Sequence, residues 1–319
     1  MYKLGIDLGG TNIVAGVVND NYEIISKASC KTDIPRPAEA VCDSMAAVAL
    51  EALKKAGLSI NDILSVGIGV PGAVNPKTGI IVYSANLLFK DWHVVEMMEQ
   101  RLNRRVIIEN DANAAAYGEF LAGSAKGSKN AVAITLGTGV GGGLILDGKI
   151  FSGSDFGGAE LGHMVIEKDG RQCGCGRKGC WEAYSSATGL INMTKDAILA
   201  EDPETSYMLK AIGGDIENVS GRTAFDAMRA GDPTGTAVVD KYIDYLACGV
   251  SNILNIFQPD VLCLGGGVSK EGDYLIKPLY KKVKAEIYTK DGVFETKICA
   301  ATLGNDAGVI GAAFLENLY

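Results

Sequence analysis

Cys173, Cys175 and Cys180 fall within eight residues, and His163, one of only two histidines, lies ten residues upstream. Three thiolates and one imidazole make the four-ligand set of a closed tetrahedral zinc site. Gly174, Gly176 and Gly179 let a short loop turn its thiolates toward one point. The tight spacing, in a chain without secretory features, favours a metal over three unrelated core cysteines. Four protein ligands leave no open coordination position, so the zinc reads as structural. Two carboxylates, Glu160 and Glu182, bracket the group.

Three glycine turns each follow an apolar run: Gly9-Gly10-Thr11-Asn12, Gly137-Thr138-Gly139 and Gly265-Gly266-Gly267. Glycine lets a backbone approach a ligand and aim N–H groups at it, and Thr11 and Thr138 add hydroxyl donors. None of the three is a P-loop, and the first does not complete a GxGxxG before a helix. One such turn is more often only a tight turn. Three, two of them in repeated contexts, point to a clamp for a nucleoside triphosphate. Asp7, beside the first turn, is placed to hold Mg²⁺ through water or to stabilise the turn. Asn110-Asp111 lies where a strand gives way to a helix. There Asp111 can cap the helix or act as general base toward a hydroxyl nucleophile.

The elements that must position these residues read as α/β. Residues 2–9 alternate around Leu4, Ile6 and Leu8 as a buried strand, and two more strands follow, over 13–18 and 22–29. Residues 32–37 form a linker. Residues 38–56 have Val41, Met45, Val48, Ala49 and Leu53 on one helical face, ended by Gly57. A strand over 64–70, a helix over 92–102, a strand over 106–108 and a helix over 112–121 complete the first half. The second half opens as the first does: Ile134-Thr135-Leu136-Gly137 repeats Ile6-Asp7-Leu8-Gly9, with a glycine-rich turn and a hairpin after each. That predicts a duplicated domain with two facing glycine turns. Helices over 188–200, 223–230 and 233–257, a strand over 260–264 and a helix over 272–288 follow. A last helix over 304–318 is expected to pack back on the first domain.

The chain has 319 residues, enough for two domains, with 47% hydrophobic and 21% charged residues. Its net charge of −8 argues against non-specific nucleic-acid binding, but not against an anion held by backbone N–H groups. No stretch is long enough to span a membrane, and the N-terminus is not a signal peptide, so a cytoplasmic location is expected. The other five cysteines sit in apolar surroundings and read as reduced core residues.

Taken together, IDLGGTNI at the start, GVPGAV at 69–74, NDANAAA from Asn110, TLGTGVGGG from Thr135, GAELGH from Gly158 and CGCGRKGCWE from Cys173 resemble the ROK family of sugar kinases, its glucokinases most of all. The cysteine stretch and GAELGH are the specific signals. The resemblance covers nearly the whole chain. It implies a two-lobed, actin-like and hexokinase-like (ribonuclease H-like) ATPase fold with a duplicated βββαβαβα core, closing over ATP and a hexose. The lobes would be 1–112 plus 305–319, and 113–304 with the zinc loop.

The resemblance further implies that Asp111 takes the proton from the 6-hydroxyl of glucose. Asn86, Asn110, Asp111, Glu160, His163 and Glu182 would hydrogen-bond the sugar, and His163, Cys173, Cys175 and Cys180 would hold structural Zn²⁺. ATP with Mg²⁺ would lie against Asp7, Gly10, Thr11, Asn12, Gly137, Thr138, Gly139, Gly265 and Gly266. At Asn12 many members carry Lys, so that cation is missing here. Another hexose or an N-acetylhexosamine such as N-acetylmannosamine is the alternative substrate, with Gly72, Ala73 and Val74 candidates for reading the 2-position. Polyphosphate is an alternative donor. The family's sugar-responsive repressors carry an N-terminal helix-turn-helix, whereas the first strand here starts at residue 2. A homodimer or homotetramer is the expected assembly.

Overall fold

The computed structural model describes residues 2–289 and 295–319. Strands β1 (Tyr2–Leu8), β2 (Asn12–Asn19) and β3 (Ile24–Lys31) form an antiparallel meander. Helix α1 (Ala38–Lys55) buries Val41, Met45, Val48, Ala49 and Leu53, the face its periodicity predicts, against Leu4, Ile6, Ile13 and Val17. Strand β4 (Ile63–Val70) pairs in parallel with β1. A small antiparallel sheet follows, β5 (Ala73–Asn75), β6 (Ile80–Ser84) and β7 (Phe89–Trp92), which the sequence reading did not anticipate. Then come α2 (Val94–Leu102), β8 (Arg105–Asn110), parallel to β4, and α3 (Asp111–Ala122).

The second half continues with β9 (Ala131–Leu136), β10 (Val140–Leu146) and β11 (Lys149–Ile150). Helices α4 (Glu182–Ser185), α5 (Ala187–Leu199), α6 (Tyr207–Ala211), α7 (Thr223–Arg229) and the long α8 (Pro233–Phe257) come next. Strand β12 (Val261–Gly265), helix α9 (Asp273–Glu286), strand β13 (Lys297–Ala300) and helix α10 (Ala307–Ala313) finish the chain.

The two five-stranded sheets repeat one order: β3-β2-β1-β4-β8 and β11-β10-β9-β12-β13. In each, an antiparallel hairpin (β2–β3, β10–β11) lies at one edge and a parallel pair (β4–β8, β12–β13) at the other. This is the duplication that the repeated hairpins predict.

By contacts the chain divides into two units. One comprises 1–133, 142–159 and 301–319; the other comprises 134–141 and 160–300. The first unit takes in α3 and 142–159, beyond the boundary at 112 read from the sequence. The physical reason is α10. Its Ala307-Gly308-Val309-Ile310-Gly311 run is fully buried, and Gly311 seats it against the backbone of α3 at Ala114. Where the sequence reading had one helix over 304–318, α10 is two turns long and is flanked by 3₁₀ turns at Gly304–Asp306 and Leu315–Asn317. Gly67 on β4 lets it lie flush on the sheet, since a Cβ there would fall on the Ala312 carbonyl. Among the described residues no helix is long and apolar enough to cross a membrane.

Candidate active site

In the first unit, chemistry gathers at the carboxyl ends of β1 and β8, where ligands bind in open α/β sheets. The buried run of β8, Val106 to Glu109, ends at Asn110, and α3 starts at once. Asn110, not Asp111, is the N-cap: its Oδ1 accepts the N–H groups of Ala112 (2.9 Å) and Asn113 (3.1 Å). Its Nδ2 donates to the Gly72 carbonyl at 3.0 Å, which leaves one amide hydrogen over. Asp111 is thus relieved of capping as its main task, although its Oδ1 also accepts the Ala112 N–H at 2.9 Å. Burial pushes the Asp111 carboxyl above the ordinary carboxylate value, against the lowering pull of that N–H. Asp7 is pushed up to about 6, first by burial and then by the charge of Asp111. Two half-buried carboxylates therefore lie near enough for one to feel the other's charge, an arrangement that clusters at functional sites.

The first glycine turn is braced from beneath. Gly9 donates to the Asn12 carbonyl at 2.9 Å, and buried Thr32 donates its hydroxyl to the Gly9 carbonyl at 2.6 Å. Gly10, Thr11 and Asn12 are exposed, and a Cβ on Gly10 would lie 3.6 Å from the carbonyl oxygen of exposed Asn86. Two buried glutamates that the sequence reading passed over hold this unit together. Glu109 accepts the Asn110 N–H (2.7 Å) and the Tyr319 hydroxyl (2.6 Å). Glu119 accepts the Leu303 N–H at 2.7 Å. Both sit within apolar or helical runs, and beside their local partners each holds a group some two hundred residues away, which no local signal marks.

In the second unit, the ligand atoms of His163, Cys173, Cys175 and Cys180 all lie within 4.8 Å of one another. Cys175 Sγ is 3.6 Å from Cys180 Sγ, and Cys173 Sγ is 3.7 Å from His163 Nδ1. Ligands at zinc's usual bond lengths in a tetrahedron are about 3.5–3.8 Å apart, so donor set and spacing both fit zinc. With Nδ1 turned to the cluster, Nε2 is left for another partner. Of the loop glycines, Gly176 and Gly179 take left-handed backbone and Gly174 does not. The Arg177 backbone N–H holds the Cys175 thiol below its ordinary value, while burial raises Cys173 and Cys180.

The loop's exit is anchored by Trp181, fully buried, whose Nε1 donates to the Tyr245 carbonyl of α8 at 3.0 Å. Glu182 follows, and its Oε2 accepts the Val140 N–H at 2.9 Å beside the second glycine turn. Glu160 is exposed. At the third turn, Gly266 (φ +85°) lies against the backbone of Leu136. A cavity of about 440 Å³ adjoins Thr138, Cys173, Glu182, Ser186, Thr188 and Asn192. Another, of about 380 Å³, adjoins Gly267, with Arg222, Lys270 and Tyr274 on its walls. There the Arg229 guanidinium stands over the Tyr274 ring, 5.3 Å from its centroid. The sequence reading has Trp181 only as part of the cysteine motif and Thr188 only as a helix start, and Arg222 and Tyr274 carry no local spacing that brings them to a turn.

The structure thus places Asp7, Gly10, Thr11, Asn12, Asn86, Asn110 and Asp111 in one unit. It places Gly137, Thr138, Gly139, Glu160, Glu182, Gly265, Gly266 and the four candidate metal ligands in the other.

Comparison with known proteins gives a consistent result. The model of the ROK family matches residues 3–317. A glucokinase of Streptomyces coelicolor is 36% identical over 313 residues, 98% of this chain and 96% of that protein. An N-acetylgalactosamine kinase of a Shewanella species is 30% identical over 319 residues, 98% of this chain and 95% of that protein. Among solved structures, a ROK family glucokinase from Streptomyces griseus in complex with glucose and AMPPNP superposes with a TM-score of 0.81. It is 34% identical and covers 99% of both chains.

Proposed function

The chain belongs to the ROK family, and from that premise we propose that it is a glucokinase, moving the γ-phosphoryl group of ATP to the 6-hydroxyl of glucose. It is an ATP-dependent phosphotransferase of the hexokinase type, a sugar kinase that works with Mg²⁺. The observation that carries the finer reading is Asp111: a half-buried carboxylate at a strand's carboxyl end, freed from capping by Asn110 and raised by desolvation above the ordinary carboxylate value. A base is most effective when its pKa lies near the working pH.

In the proposed step the sugar's 6-oxygen forms a bond to the γ-phosphorus and its proton passes to Asp111. The bond from that phosphorus to the β–γ bridging oxygen breaks, and ADP leaves with the electron pair. Thr138, Gly139 and the exposed Gly10-Thr11-Asn12 turn would hold phosphate oxygens, largely through backbone N–H groups. Mg²⁺, which Asp7 would hold through water, spreads the transferred charge. Asn86, Asn110, Glu160, His163 and Glu182 would orient the hexose, and the aromatic wall at Tyr274 beside Gly267 suits the purine. Zinc, on His163, Cys173, Cys175 and Cys180, supplies rigidity.

A second reading, an N-acetylhexosamine as acceptor, is favoured by the likeness to the N-acetylgalactosamine kinase. ADP release measured over a panel of hexoses and N-acetylhexosamines separates the two. Glucose is expected to give the highest kcat/KM, and a preferred N-acetylhexosamine would overturn the first reading. The Asp111→Asn protein is expected to fold normally and lose about 10²–10⁴-fold in kcat. Near-normal turnover would remove Asp111 from the role of base.

A further inference from the structure

The segment that leaves the metal loop grips the second glycine turn. Cys180 belongs to the cluster that could hold the metal, and Trp181, next to it, is locked against α8. From there Glu182 reaches in two directions: Oε2 accepts the Val140 N–H at 2.9 Å, and Oε1 lies 3.5 Å from Cys173 Sγ. Gly139 has no room for a side chain, because a Cβ there would fall on the Glu182 carboxylate. Farther along, the Ala187 N–H donates to the Gly137 carbonyl at 2.8 Å, and the Thr188 hydroxyl donates to the Thr138 carbonyl at 2.8 Å.

These ties fix more than position. In a planar trans peptide the carbonyl and the following N–H point in opposite directions. Holding the Gly137 and Thr138 carbonyls toward α5 therefore turns the N–H groups of Thr138 and Gly139 away from it. Outward-facing successive N–H groups are what a phosphate requires.

We propose that residues 180–188 form a strut by which the metal loop sets the shape of the phosphate-holding turn at 137–140, with Glu182 and Thr188 as its positioning residues. Occupancy of the metal site then governs affinity for the nucleotide as well as order around the sugar. The strut rests on the reading of Gly137–Gly139 as a phosphate turn.

The test is calorimetric titration of the zinc-loaded full chain with AMPPNP, and separately with glucose, zinc content being measured in each sample. Thr188→Val keeps the side chain's shape and every metal ligand. It is expected to weaken AMPPNP about 5- to 10-fold, the worth of one hydrogen bond, with glucose affinity and zinc content unchanged. Thr188→Ser, which keeps the hydroxyl, is expected to bind as wild type. Chelated protein that keeps its far-ultraviolet circular dichroism is expected to lose AMPPNP affinity by at least the same factor and to regain it on adding zinc. If Thr188→Val binds AMPPNP as tightly as wild type, the strut is refuted while the nucleotide reading stands. If wild type itself fails to bind AMPPNP, that reading falls and takes the strut with it.

Discussion

Asp7 carries an electrostatic cost in the folded chain. Its carboxyl is pushed up to about 6 by burial and by the neighbouring charge of Asp111. The native value lies above the ordinary one, so between the two the native state keeps a proton that the unfolded chain has lost. Stability therefore falls as pH rises through that window, and the whole penalty is present above it. In metal-free buffer, Asp7→Asn is expected to raise unfolding stability at pH 7.5 by on the order of 1–3 kcal/mol, and by little at pH 4. Denaturant unfolding at both pH values checks this; an equal or lower stability at pH 7.5 would mean that the carboxylate is well solvated. The sequence shows Asp7 and Asp111 as polar ends of apolar runs. It does not show that one feels the other's charge, which depends on the parallel pairing of β1 with β4 and β4 with β8. Likewise it left open whether Asp111 caps α3, because the choice between adjacent Asn and Asp is made by which side chain turns back over the first turn.

The long, periodic elements were legible and the short ones were not. Helix α1 buries the residues its 3.6-residue pattern marks, and β1 to β3 follow from alternation broken by turn residues. Strands β5 to β7 and β13 have three to five residues each and exist through their partners, so no local pattern gives them away. The extent of α10 was misread because its small residues look like a generic helix. Its role is to pack backbone to backbone: Gly5, Gly67, Gly118 and Gly311 all stand where a Cβ would strike a neighbouring main chain. Gly67→Ala is therefore expected to destabilise the chain by about 1–3 kcal/mol or more, since overpacking at main chain cannot be relieved by a rotamer change. Urea unfolding measures it. A loss under about 0.5 kcal/mol, the range of an ordinary surface substitution, would show that α10 can lift off the sheet at little cost.

At the scale of the molecule, duplication was the most legible feature, since two hairpins with the same glycine turn announce two sheets of the same order. The partition was less so. Which unit owns α3 is decided by α10, which lies almost two hundred residues farther on. The acceptor sugar is the remaining molecular property, and thermal stability can read it without relying on turnover. A ligand that binds only the native chain stabilises it by about 2.7 kcal/mol at one hundred times its Kd. Sugars compared at one fixed concentration then rank by affinity, and weak binders give almost no shift. Glucose is expected to raise the unfolding temperature most, N-acetylmannosamine and N-acetylgalactosamine little. Because Asp111 would be only one of several groups that hydrogen-bond the acceptor, and Asn can still bond a hydroxyl, the Asp111→Asn protein should keep most of the glucose shift while losing turnover. A larger shift with an N-acetylhexosamine in both proteins would reassign the substrate and leave the proposed base in place. Loss of every sugar's shift in Asp111→Asn would instead make Asp111 chiefly a binding residue.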